Sequence, residues 1–369
     1  MITKVFGPPG SGKTTFLLNI VEQELAAGTS PMNIGYFAFT RKAATEARDR
    51  GVQKFPHLDA KADFPWFRTL HSLAYHCLGV GNKDLMSGTD YAVFAKETGL
   101  KVSANVETGE DFIVQADNAI LNEINIARIR SVDLRTHYNK SDMEIEWFHF
   151  EFVERAYRRF KAANMLMDFT DLLERLVEQP ERLPSLEVLI VDEAQDMSRL
   201  QWKLVKALEE KATRTHIAGD DDQAVFNWAG ADVQSFLSHL GDVKVLKHSY
   251  RVPAKVHALA DTIVNRIQNR QEKIWSPRSE QGEINYYNQF EQVDISSGEW
   301  LIMASTNYML NDIHTWIKNQ GLLFERQGQR SIADSVVAAV VGWERLRKGM
   351  DIDYEALQKV YKNLPAEAV

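Results

Sequence analysis

The chain has 369 residues, 44% apolar and 25% charged, an ordinary globular composition with length for two or three domains, which excludes a disordered tail protein. Its 43 basic against 51 acidic residues leave a formal net charge of −8, so a polyanion could not be held by bulk charge and would need a local groove. One cysteine, Cys77, cannot form an internal disulfide, no Cys/His cluster has structural-zinc spacing, and no run of about 18 apolar residues could cross a membrane. The segment before the first glycines is too short for a signal peptide, so a soluble, cytoplasmic protein is expected.

Strand-like apolar runs alternate with helical patterns, the signature of a parallel sheet covered by helices. In chain order the expected strands are Lys4 to Phe6, Ile34 to Phe39, Glu187 to Val191, Thr213 to Ala218 and Lys244 to Leu246. Between them, residues 83–165 are helical, charged and aromatic, with breaks at Gly99, Gly109 and His137 to Lys140, and read as an inserted helical subdomain. Residues 1–82 and 166–252 then form one discontinuous α/β domain. Beyond Pro253 a second one begins, with a helix over Val256 to Arg270, strands over Glu283 to Tyr287 and Trp300 to Ala304, and helices over Asn311 to Asn319 and Ser331 to Arg347.

Gly7-Pro8-Pro9-Gly10-Ser11-Gly12-Lys13-Thr14 fits G-x-x-x-x-G-K-[ST] between a short strand and a helix expected over Lys13 to Ala26. Glycines let successive N–H groups point inward, and the helix start adds about half a positive charge, so this loop should cradle the phosphates of ATP. The expected nucleotide contacts are these eight residues and Thr15, with Lys13 reaching the β- and γ-phosphates and Thr14 on Mg²⁺. Val188-Leu189-Ile190-Val191-Asp192-Glu193-Ala194-Gln195-Asp196 ends an apolar run in carboxylates, where a parallel strand delivers them to the ligand edge of a sheet. Asp192 should hold Mg²⁺, and Glu193 is the candidate base for a water attacking the γ-phosphate.

These two motifs, with others in order, resemble the superfamily 1 helicases of the UvrD, Rep and PcrA group over most of residues 1–327. Ala38-Phe39-Thr40-Arg41-Lys42-Ala43-Ala44 and Thr69-Leu70-His71-Ser72 resemble the family's first DNA-contacting motifs, and Asp168-Phe169-Thr170-Asp171-Leu172-Leu173 the stretch before the acidic box. Gly219-Asp220-Asp221-Asp222-Gln223-Ala224-Val225-Phe226-Asn227-Trp228-Ala229-Gly230-Ala231 is the longest match, and His248-Ser249-Tyr250-Arg251 looks like the fourth motif. The resemblance implies a RecA-like P-loop NTPase sheet with a helical insertion and an incomplete second RecA-like domain. It also implies that Gln223 senses the γ-phosphate and couples it to DNA, Arg251 touches that phosphate and Tyr250 stacks on the base. Phe39, Phe226 and Trp228 are the expected stacking faces for a single strand, with Thr40, Thr69 and His71 on its backbone; stacking contributes about 1–3 kcal/mol per base and tolerates any sequence. Arg155, Arg158, Arg159 and Lys161 read as a solvated helix face.

Some expected parts are missing. No glutamine that reads adenine fits in the six residues before Gly7, so weak discrimination between ATP and other NTPs is expected. Ala229 stands where the family often has arginine, which should lower DNA affinity. The family's Gly-Lys-Gly and Thr-Arg-Ala type segments do not occur before Val369. Loss of an arginine finger costs about 10³ to 10⁵ in rate, so this chain alone is expected to be a fragment with little activity. The function expected is that of an ATP-dependent helicase or translocase moving 3′ to 5′ on single-stranded and forked DNA. The alternative is a nucleotide-dependent single-strand-binding switch that does not unwind.

Overall fold

The computed structural model describes residues 1–102, 118–326 and 328–363; the break expected at Gly109 lies outside them. The chain divides into two units, Met1–Ile284 and Asn285–Val369. In the first, β1 (Ile2–Phe6) runs through the phosphate loop into α1 (Lys13–Ala26), followed by β2 (Ile34–Phe37), α2 (Arg41–Lys54), β3 (Phe67–Arg68) and α3 (Leu70–Leu78). Helices α4 (Gly88–Thr98), α5 (Ala119–Ile129), α6 (Leu134–Tyr138) and α7 (Trp147–Ala163) come next. The sheet resumes through α8 (Phe169–Glu178), β4 (Leu186–Val191), α9 (Arg199–Glu209), β5 (Ala212–Gly219), α10 (Val233–Ser238) and β6 (Asp242–Val245), and α11 (Ala254–Val264) follows.

The six strands lie in the order β3-β2-β4-β5-β1-β6, all parallel. A buried parallel sheet needs apolar side chains on both faces, and consecutive residues supply them. Phe6, Phe37, Leu189, Val191 and Ile217 pack into one core, while Val5, Tyr36, Val188, Ile190 and Ala218 pack into the other. All five expected strands form here; β3, only two residues long, carries too little pattern to be foreseen.

The inserted helices have a core of their own, including Tyr91, Phe94, Phe150, Tyr157 and Phe160. Gly99 ends α4 at φ +72°, and a turn after Tyr138 ends α6. An ion cluster ties these helices to the sheet domain: Arg128 pairs with Asp168 at 2.7 Å, Asp171 and Glu174, and Lys161 pairs with Asp168 and Asp171 at 2.6 Å. Lys161 is therefore buried, not on the solvated face expected of it, whereas exposed Arg155 and Arg158 pair along the helix with Glu151 and Glu154. Asp168 and Asp171 also form a reciprocal capping box at the start of α8, so the Asp-Phe-Thr-Asp stretch does structural work. Burial would raise the Asp168 carboxyl, but Arg128 and Lys161 together pull it below the usual range. A depressed folded pKa adds stability that is present above the unfolded value near 3.9 and lost as pH falls below it. Asp168→Asn should therefore cost about 3 kcal/mol at neutral pH, because two buried cations lose a partner. Urea unfolding at pH 7 and near pH 2 should show the gap between variant and parent narrowing at the lower pH, as protonation approaches the depressed folded pKa.

Residues 253–284, expected in a second domain, stay with the first unit, where Lys273 and Arg270 are ion-paired to Asp220–Asp222. The second unit contains α12 (Leu310–Asn319), a two-residue antiparallel pair of β7 (Glu325–Arg326) and β8 (Gln329–Arg330), α13 (Asp334–Arg347) and α14 (Tyr354–Asn363). The strands expected over Glu283 to Tyr287 and Trp300 to Ala304 do not form. An extended run becomes a strand only where a neighbour takes up its N–H and C=O groups. Among the described residues none lies beside these runs, and Tyr286, Leu301 and Met303 are exposed.

Candidate nucleotide and DNA site

The phosphate loop leaves β1 at the carboxyl edge of the sheet, with Gly7 N–H donating to the Gly219 carbonyl at 3.1 Å. Gly10 and Gly12 take φ of +70° and +78°, which side chains other than glycine's rarely adopt. Lys13 Nζ reaches back over the loop to the Gly7 carbonyl at 3.0 Å, and a Cβ on Gly7 would sit 2.1 Å from Lys13 Cγ. Ser11 Oγ is buried with no hydrogen-bond partner among the described residues, an orphaned polar atom of the kind a bound phosphate would satisfy. The outer side of the loop is stitched to the fourth motif: Ser249 Oγ donates to the Pro9 carbonyl at 2.7 Å and Tyr250 N–H to the Gly10 carbonyl at 2.9 Å. Tyr250 is 73% exposed, with His248 edge-on to its ring at 4.7 Å, and so presents a free aromatic face beside the loop. Exposed Arg251 follows, and its Cβ is 2.3 Å from where a Gly10 Cβ would lie.

Asp192 ends β4 almost fully buried, its Oδ2 accepting from Tyr36 Oη at 2.7 Å and its Oδ1 from Glu193 N–H at 2.9 Å. Burial and the Glu193 charge push its pKa up to about 6. Thr14 and Asp192 would offer oxygen donors only. That suits Mg²⁺, which usually takes one or two protein ligands, with phosphates and waters filling the rest. Its positive charge would draw Asp192 back to the ionised form. Glu193 has φ +53°, a strained setting for a non-glycine residue.

Gln195 lies in the acidic box without a role that its sequence position announces, and in the structure it is the hub. Its Nε2 donates to Glu193 Oε2 at 2.9 Å and Asp196 Oδ2 at 3.2 Å, while its Oε1 accepts from Asp220 N–H at 3.0 Å. Asp220 in turn accepts from Gln223 Nε2, so hydrogen bonds run unbroken from Glu193 through Gln195 and Asp220 to Gln223. Burial, then the Glu193 charge, push Asp196 up to about 7. Behind Gln223 the three successive aspartates meet Lys273, whose Nζ lies 2.9 Å from both Asp220 and Asp222 and also pairs with Asp221. Arg270 grips Asp222 with two bonds of 2.7 and 2.6 Å. Nothing in the sequence marks these two cations, because they lie in a segment without a motif. Tyr36 could have been noticed, since a phenol in a fully buried strand needs a partner for its hydroxyl.

Two of the three expected DNA-facing aromatics, Phe39 and Phe226, lie next to this network. Phe39 and Phe226 are half-buried, their rings 6.0 Å apart and tilted by 32°, and Trp228 is 72% exposed. A small cavity of about 40 Å³ is lined by Phe39, His71, Asp196 and Phe226 among others. Burial, with Arg41 nearby, brings His71 down to about 4, so its ring is neutral. Thr40 caps α2 and is partly open. Thr69 caps α3 but is buried, its hydroxyl accepting from Ser72 N–H at 3.2 Å, which leaves no surface for the backbone contact expected of it.

An all-parallel sheet with this loop after one strand and an acidic pair two strands away is the ligand edge of a RecA-like P-loop domain. The chain belongs to the UvrD/Rep helicase family: residues 2–244 match the UvrD/REP helicase N-terminal domain. It is 24% identical over 339 residues to DNA helicase II of Haemophilus influenzae, covering 86% of this chain and 45% of that protein. It is 28% identical over 311 residues to the ATP-dependent DNA helicase PcrA of Staphylococcus aureus, covering 77% and 41%, and 27% identical over 320 residues to PcrA of Bacillus subtilis, covering 80% and 42%. The chain thus spans less than half the length of these relatives. No helix among the described residues is long and apolar enough to cross a membrane.

Proposed function

We propose that this chain carries the nucleotide-binding and strand-gripping part of an ATP-dependent DNA helicase or translocase that moves 3′ to 5′ on single-stranded DNA. The observation that carries the reading is the unbroken path from Glu193 through Gln195 and Asp220 to Gln223, with Phe226 and Trp228 on the same loop. Lys13 and the inward amides of residues 7–14 bind and orient the triphosphate. Thr14 and Asp192 would hold Mg²⁺, which when bound neutralises charge on the phosphate oxygens. Glu193 accepts the proton of the attacking water, and the Gln195 amide fixes one of its oxygens so that the other faces the substrate. Gln223 donates to the γ-phosphate, and Arg251 adds permanently charged donors at the same end. When Gln223, three residues before Phe226 on the same loop, turns toward phosphate it must leave Asp220, which links the state of the nucleotide to the grip on the bases.

The test has two stages. Titration of this chain with a fluorescent nonhydrolysable ATP analogue and Mg²⁺ should give saturable binding that unlabelled ATP competes away. Indifference of the phosphate loop to the analogue would sink the assignment. In a protein extended to the length of the relatives, single-stranded DNA should accelerate hydrolysis severalfold or more; DNA that changes nucleotide affinity but not turnover would make the protein a switch instead of a motor.

A further inference from the structure

The loop from Phe226 to Ala231 is pinned from two sides. Gly230, at φ +97°, lies so close to α5 that a Cβ there would be 2.6 Å from Ile129 Cδ1. On the other side Ala231 bridges to Ser198, and Asp232 N–H donates to the Met197 carbonyl at 2.8 Å. Arg130, at the end of α5, reaches this loop and donates through Nη2 to the Asn227 carbonyl at 2.8 Å, next to the exposed indole of Trp228. That bond uses one of five guanidinium N–H groups, and among the described residues no carboxylate pairs with the rest. Its neighbours differ. Arg199 is neutralised by Asp232 at 2.8 Å, and both line, with Arg130 and Lys140, a cavity of about 810 Å³.

We propose that Arg130 binds a backbone phosphate of single-stranded nucleic acid, next to the base that stacks on Trp228. A chain of net charge −8 cannot attract a polyanion in bulk, so a stacking face needs a local uncompensated cation, and a planar guanidinium suits phosphate oxygens. Arg130 also lines the cavity that holds Asp142 and Glu144, but its bond to the Asn227 carbonyl keeps the guanidinium at the loop that carries Trp228. Ala229 lacks a guanidinium of its own, and Arg130 brings one to the same loop from the inserted helices. The strand is then gripped by two parts of the first unit at once. This inference rests on the reading of Trp228 as a stacking face.

The experiment is fluorescence anisotropy of labelled oligo-dT with this chain over a range of KCl concentrations. Arg130→Gln keeps a side-chain N–H for the Asn227 carbonyl but removes the charge. It should weaken binding about three- to tenfold near 0.1 M salt and make the slope of log K against log salt shallower by roughly 0.7, the increment for one phosphate on a single strand. Arg130→Lys should keep the parent slope. Trp228→Ala should weaken binding about 5- to 100-fold with the slope unchanged. If Arg130→Gln leaves affinity and slope at parent values while Trp228→Ala weakens binding, Arg130 has no role and the stacking face stands. If Arg130→Gln lowers affinity at an unchanged slope, Arg130 only braces the loop and the phosphate assignment is wrong. If the parent chain does not bind oligo-dT at all, the DNA reading fails and takes this inference with it.

Discussion

Replacing Lys13 with Ala is expected to lower the affinity of this chain for Mg-ATP by about 30- to 1000-fold while moving its melting temperature by no more than a few degrees. In the free loop Lys13 Nζ makes one bond, to the Gly7 carbonyl, so little folding energy rests on it. With a triphosphate in place the same ammonium would make charge-assisted contacts, each contributing about 1.5–3 kcal/mol. Fluorescent-nucleotide titration measures the first quantity. Thermal shift measures the second, and the stabilisation that Mg-ATP gives the parent should vanish in the variant. A variant that binds as tightly as the parent would remove the phosphate-loop assignment.

The second large effect is structural and lies where no motif pointed. Lys273→Met should cost about 3–5 kcal/mol, because it leaves Asp220, Asp221 and Asp222 crowded together with their shared counter-charge gone. Burial opposes the Lys273 charge, but the surrounding aspartates outweigh it and raise its pKa, so the cation is present throughout the physiological range. For a unit of this size the loss corresponds to a drop in melting temperature of roughly 5–8 °C. Adding Asp221→Asn to Lys273→Met should recover part of it, since one of the stranded charges is then removed. A double variant no more stable than the single one would show that the lysine contributes packing alone.

Much of the first unit was legible because a buried parallel sheet writes itself into sequence as continuous apolar runs, and each predicted strand of it ends within two residues of the observed one. The phosphate loop and acidic box were legible because glycine, lysine and carboxylate are required there by backbone geometry and charge. What could not be read were the long-range partners. Nothing at Gln195 announces that its amide will bridge residues 193 and 220, or at Arg270 and Lys273 that they will close on three aspartates, because such pairs are made by topology and not by spacing. Thr69 is ambiguous for a related reason: a threonine before a helix is as good a cap as a ligand, and in the structure its hydroxyl caps α3. The expected strands at 283–287 and 300–304 failed because apolar alternation signals only readiness to pair.

The two ties to the Pro9 and Gly10 carbonyls, from the Ser249 hydroxyl and the Tyr250 N–H, join positions about 240 residues apart in the chain, and they act as a ruler. They fix how far the aromatic face stands from the phosphate cradle before any ligand arrives. On the proposed reading, a nucleotide must match that preset offset with its own length. A nucleoside monophosphate could touch the ring or the loop but not span both, so tails of different length would be sorted by measurement more than by recognition of the base.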